Sequence, residues 1–92
     1  MEVILDGTLI TDRTALHDLL AEKFAFPAYY GRNLDALYDL LSAYPERVSV
    51  TVIHTDRLLE NLGRYGNSVI RTLQDVSREN SKFVFSIFDE NN

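Results

Sequence analysis

The sequence predicts an α/β fold: a single small domain in which a three-stranded parallel sheet is packed with about four helices. Three observations lead there. Apolar, strand-like runs open, divide and close the chain, as EVIL, RVSVTVIH and KFVFSIF. Helix-periodic segments lie between them, and strands separated by helices pair in parallel through right-handed crossovers. The length of 92 residues suits one domain spanning 1–92, and a chain of that size buries roughly 60–70% of its unfolded surface, enough for one core without staples.

Glu2 to Leu5, with Val3 and Ile4, reads as a short buried strand. Asp6-Gly7 follows, and by the hairpin rule VIL-DG-TLI is two strands around a two-residue turn. Thr11 or Asp12 can cap a helix that runs to about Ala25, with Leu16, Leu19, Leu20 and Phe24 on its apolar face. Its His17 lies on or beside that face and reads as a partly buried histidine bonded to a backbone carbonyl.

The stretch PAYYGRNLDALYDLLSAY, Pro27 to Tyr44, organises the rest. Pro27 cannot continue the preceding helix. Gly31 supplies a position open to positive φ. Asn33 is a strong N-cap, because its side-chain oxygen can accept a free N–H in the first turn. The helix it starts carries Leu34, Leu37 and Leu41 on one face, at i, i+3, i+7. The opposite face carries Asp35, Asp39 and Ser42. Asp35 is explained by the helix dipole. Asp39 is not: Asp is a mediocre interior helix residue, and a like charge one turn away costs roughly 0.2–0.5 kcal/mol. No Lys or Arg stands between Asn33 and Glu46. Tyr29, Tyr30, Tyr38 and Tyr44 surround this acidic face, which reads either as a surface for a basic partner or as a solvated helix face.

Tyr44-Pro45-Glu46 breaks the helix. Val48, Val50 and Val52 then alternate with Ser49 and Thr51 in the clearest strand. Thr55 or Asp56 caps a short helix ended by Gly63. Gly66, Asn67 or Ser68 opens the last helix, with Val69, Ile70, Leu73 and Val76 inward and an end near Asn80. KFVFSIF is apolar on both faces apart from Ser86, as for a strand covered on both sides or a parallel one. The tail from Asp89 to Asn92 should fray.

Composition narrows the function. A net charge of −5 argues against nucleic acid and against an anionic membrane surface, and suits a cationic protein partner. There is no cysteine, hence no disulfide or thiolate chemistry. No apolar stretch approaches the ~18 residues of a membrane span, and the first residues do not read as a signal peptide. The two histidines, His17 and His54, have no metal-ligand spacing. No phosphate loop or nucleophile elbow occurs. Asp35 and Asp39 share one helical face, so nothing desolvates one alone, as an acid/base pair requires. The chain reads as no enzyme and as needing no cofactor.

The run Tyr29-Tyr30-Gly31-x-Asn33-Leu34-Asp35-Ala36-Leu37-x-Asp39 resembles the signature of the barstar family, small bacterial inhibitors of secreted guanyl-specific ribonucleases such as barnase. A strand before it, the pair Leu16-His17 and an apolar closing strand extend the likeness over the whole chain. The resemblance implies a small parallel sheet packed with helices, and makes Asp6-Gly7 a loop leading to a helix. It implies a cytoplasmic inhibitor, or immunity protein, that is a monomer when free and binds a basic ribonuclease or ribonuclease toxin. In that reading Asp39 mimics an RNA phosphate, Asp35 adds a second charge or accepts from a base-recognition or histidine donor, and Tyr29 stacks on the partner's active-site histidine or base-binding loop. Asn33, Leu34, Tyr38, Ser42, Ala43 and Tyr44 complete the contact, and Asp75 matches a further acidic contact after a one-residue gap. The chain departs from the type member at Tyr38 and Tyr44, which replace tryptophans, and at Ala43, which replaces a glycine. Arg32 replaces an acid, and Asp75 is shorter than the family's glutamate. These departures bear on which ribonuclease is met. The alternative is a barstar-like interaction module that uses the same surface without a ribonuclease target.

Overall fold

The computed structural model describes residues 1–89, so the fraying expected of Glu90 to Asn92 lies outside the described residues. The order is β1 (Glu2–Asp6), α1 (Arg13–Phe24), α2 (Leu34–Ser42), β2 (Val48–Ile53), α3 (Thr55–Leu62), α4 (Arg64–Glu79) and β3 (Phe83–Phe88). The strands lie in the order β1-β2-β3, all parallel, with Val3 opposite Val50 and Val50 opposite Phe85. This is the predicted α/β layering.

Asp6-Gly7 is a loop and not a hairpin, since β1 pairs with β2 in parallel. The Asp6 carboxylate accepts from the Thr8 amide at 2.9 Å and the Thr8 hydroxyl at 2.7 Å, which turns the chain out of the sheet. Gly7 passes against the β2–α3 junction: a Cβ there would lie 2.1 Å from the His54 carbonyl oxygen. Only glycine allows that approach.

Valines and leucines on one face of the sheet make the core, with Val3, Leu5, Val48, Val50, Val52 and Phe83 buried against Leu16, Leu20, Leu37, Leu41, Leu58, Val69, Leu73 and Val76. β3 is the parallel strand that KFVFSIF allowed, but it is not covered on both sides. Val84 and Phe88 are 55% and 59% exposed, and Ile4 of β1 is exposed too. In β3 only Phe83 is fully buried and Phe85 half-buried, so its apolar composition overstates its burial.

Helix ends explain two further differences. His54, at φ 52, occupies the cap position of α3, so Thr55 is already helical, and the Thr55 amide donates to the Asp89 carboxylate at 3.1 Å. Gly63, at φ 60, closes α3 and opens α4 at Arg64. Gly66 is therefore inside the first turn of α4, where the missing Cβ lets it approach Leu59.

Candidate functional site

The loop before α2 separates its two adjacent tyrosines. A turn in which the Tyr30 amide donates to the Pro27 carbonyl at 2.9 Å sends Tyr30 inward and Tyr29 outward. Tyr29 is 83% exposed and Tyr30 only 7%. Tyr30 therefore does not belong to the exposed ring of tyrosines expected from the sequence. The left-handed residue of the loop is Arg32, at φ 55, rather than Gly31. Gly31 serves close packing instead: a Cβ there would sit 3.2 Å from Ala36 Cβ. The Arg32 guanidinium points away from α2, to the Asp18 carboxylate and the Thr14 carbonyl of α1.

α2 is held at both ends. Asn33 Oδ1 accepts from the Ala36 amide at 2.8 Å, and Asn33 Nδ2 donates to the Gly31 carbonyl at 3.2 Å. At the other end the buried Asn80, just beyond α4, donates from Nδ2 to the Leu41 and Tyr44 carbonyls at 3.0 Å each. These would otherwise be orphaned acceptors of a helix terminus. Nothing in the local pattern of residue 80 announces this role; it arises from α4 packing on α2.

On the helix between these anchors, Leu37 and Leu41 are buried, whereas Leu34 is half-buried and packs at the core's margin. Asp35 and Asp39 are exposed and have no ion-pair partner among the described residues. Ser42, at i, i+4, i+7 spacing with them, is not exposed as expected. It is half-buried, and its hydroxyl oxygen is enclosed without a hydrogen-bond partner among the described residues. Ala43 is exposed at the helix end. Tyr38 and Tyr44 are half-buried; the Tyr44 ring meets Phe24 edge-on at 5.2 Å, and its hydroxyl donates to Met1 Sδ at 3.5 Å. Asp75 lies on α4 and pairs with Arg78 one turn on, so its charge, unlike those of α2, is offset within its own helix.

A hollow of about 220 Å³ lies beside Asp39, walled by Tyr29, Tyr30, Gly31, Ala36 and Leu40. Thus the structure joins Tyr29 and Asp39 around one concavity, with Asp35 one turn along. Unpaired carboxylates beside an apolar hollow and an exposed aromatic ring can take a cationic group flanked by a flat, apolar one. A larger cleft, of about 490 Å³, lies elsewhere, at the carboxyl ends of the strands between Thr8, His54, Asp56, Arg57, Phe88 and Asp89. There the Arg57 cation is already paired with Glu60 at 3.5 Å, and Asp89 already serves the α3 amide. Among the described residues no group of three or more His, Cys, Asp or Glu could hold a metal ion, and no helix is long and apolar enough to cross a membrane.

His17 lies buried on the apolar side of α1, but its hydrogen-bond partners differ from those expected. Its partners are two tyrosine hydroxyls rather than a backbone carbonyl: Tyr30 on Nδ1 at 2.6 Å and Tyr65 on Nε2 at 2.8 Å. Burial pulls the His17 pKa down, and the nearby Arg32 and Arg13 cations add to this against a smaller opposing effect of Asp18. Burial likewise pushes Tyr30 up to about 12, with Tyr65 adding to it. The site base is thus a neutral, hydrogen-bonded set linking α1, the loop and α4.

Comparison with known proteins adds two findings. The family model described as Barstar (barnase inhibitor) matches residues 1–90. A Bacillus subtilis (strain 168) protein described as "Putative ribonuclease inhibitor YrdF" is 36% identical over 80 residues, which is 85% of this chain and 87% of that protein.

Proposed function

Because the chain belongs to the barstar family, we propose that it inhibits a ribonuclease by occupying the active site with the face built from Tyr29, α2 and the residues around them. A ribonuclease site gathers cations to hold a phosphodiester. A carboxylate set where the phosphate would lie meets those cations directly and excludes RNA. Asp39 is the residue proposed for that role, and the observation that carries the reading is its state: exposed, unpaired among the described residues, and set beside the hollow under Tyr29. Asp35 adds charge, and Tyr29 offers its ring to the partner's imidazole or base-binding loop. Asn33 and Leu34 shape the edge of the contact, and Tyr38, Ala43 and Tyr44 extend it. Ser42 and Asp75 are proposed as minor members, since one is enclosed and the other is paired with Arg78. The inhibitor acts as a single domain and a monomer when free.

The direct test is an RNA-cleavage assay with barnase, and with any basic ribonuclease recovered by pull-down on this protein. Stoichiometric inhibition that is lost in Asp39→Ala supports the proposal. Capture of partners that are not ribonucleases, through the same face, would favour the interaction-module reading. Turnover of RNA by the purified protein itself would contradict both.

A further inference from the structure

The loop that presents Tyr29 is tied down on either side of Gly31. On one side the Tyr30 hydroxyl meets His17 Nδ1 at 2.6 Å, while the Tyr30 ring packs on Phe26 with centroids 4.7 Å apart. His17 is itself fixed, because Nε2 meets the Tyr65 hydroxyl at 2.8 Å, and the Tyr65 ring carries the Arg13 guanidinium 4.0 Å from its centroid. A neutral imidazole has one donor and one acceptor nitrogen, so one tyrosine accepts from it and the other donates to it. On the other side stands Arg32 at φ 55, a conformation that a non-glycine residue keeps only when its surroundings hold it. Its guanidinium donates to the Asp18 carboxylate and, at 3.4 Å, to the Thr14 carbonyl. Tyr29, itself 83% exposed, immediately precedes the first tie, and the helix cap Asn33 immediately follows the second.

We propose that the Tyr30 hydroxyl on His17 is a positioning contact for partner recognition, holding the Tyr29 loop in its binding shape before the partner arrives, with Arg32–Asp18 as a second tie. This rests on the reading of the Tyr29–Asp39 face as the partner-binding surface. A loop ordered in advance loses little freedom on binding. A loop that visits the binding shape only part of the time weakens affinity by that fraction.

Tyr30→Phe and Tyr65→Phe separate positioning from mere stability. Each removes one hydroxyl, keeps the ring and leaves one His17 nitrogen unpaired, but only Tyr30 lies in the loop. The first readout is amide hydrogen exchange of the free protein. In Tyr30→Phe the amides of residues 29–33 should exchange about tenfold faster than in the parent, with those of β2 much less affected. In Tyr65→Phe the loop amides should stay within about twofold of the parent. The second readout is binding to barnase, where Tyr30→Phe should lose about three- to tenfold in affinity and Tyr65→Phe should not. Equal effects of the two variants, or an unchanged loop in Tyr30→Phe, would overturn the proposal. Asp18→Ala removes an exposed carboxylate and keeps the test decisive if Tyr30→Phe fails to fold: the same loop amides must speed up, by a smaller factor because exposed ion pairs are weak. A parent that binds no ribonuclease would count against the inhibitor reading alone, and the exchange result would still decide whether these ties order the loop.

Discussion

Asn80→Ala should be among the more damaging single changes at this domain's surface-to-core boundary. The side chain makes three hydrogen bonds: Nδ2 to the Leu41 and Tyr44 carbonyls at 3.0 Å each, and Oδ1 from the Lys82 amide at 3.0 Å. The residue is buried, so water cannot fully replace what is lost. At about 0.5–1.5 kcal/mol for each intramolecular bond, the expected cost is ~2–4 kcal/mol. For a domain of this size each kcal/mol moves the midpoint of thermal unfolding by roughly 4–8 °C, so a fall on the order of 10 °C or more is expected. Urea denaturation monitored by tyrosine fluorescence supplies the free energy directly. Asn80→Asp is the informative companion: it keeps the acceptor for Lys82 but sets a carboxylate against two carbonyls, and should cost at least as much. Loss of under about 0.5 kcal/mol in Asn80→Ala, within the range of ordinary surface substitutions, would show that the end of α2 is held by other contacts.

Other outcomes follow from the same physics. Val50 is fully buried in the central strand, so Val50→Ala should destabilise the fold by about 1–3 kcal/mol, and an unchanged urea midpoint would contradict its placement in the core. His17 gives a pH dependence with a definite sign. Its folded pKa lies below the ordinary 6.5, so just below that pH the unfolded chain binds a proton that the folded chain refuses. Stability should be full above 6.5 and fall as pH drops from there towards the folded value. His17 is faced by Arg13 and Asp18 from α1, Arg32 and Tyr30 from the loop, and Tyr65 from α4. His17→Gln should lose that part of the slope, and identical pH profiles for parent and variant would refute the assignment.

Much of the fold was legible because periodicity reports burial. Val48, Val50 and Val52 at period two, and Val69, Leu73 and Val76 at helical spacing, point inward as their patterns require. Asn33 caps α2 as its residue type and position predict. The failures share a cause: they depend on what comes from elsewhere in the chain. Val84 and Phe88 are exposed because the core covers only the other face of the sheet, which the composition of β3 does not report. Ser42 is enclosed although Asp35 and Asp39, at helical spacing from it, are exposed. His17 finds Tyr65 across 48 residues, a pairing with no local signature. Tyr29 and Tyr30 look alike in sequence, and only the turn at Pro27 decides which of them faces solvent. Within the candidate face, the acidic pair on α2 was readable from the spacing. The ties that fix the neighbouring loop were not, because Arg32 and Tyr30 act through partners on α1.

The central claim is that Asp39 carries recognition and contributes nothing to folding. Asp39→Ala should leave the free protein intact or stabilise it by about 0.5–1 kcal/mol, since it removes a like charge near Asp35 and introduces a better helix former. Its complex with a ribonuclease should weaken by roughly 2–5 kcal/mol, because the partner's cations are left desolvated and unpaired. Stopped-flow association and dissociation against barnase, or against the ribonuclease recovered by pull-down, measures this beside urea denaturation of both proteins. The predicted result is a much faster off-rate for Asp39→Ala, undiminished stability, and association by the parent that slows as salt is added. Equal affinity for parent and Asp39→Ala, or a loss of binding that merely tracks a loss of folding, would contradict it.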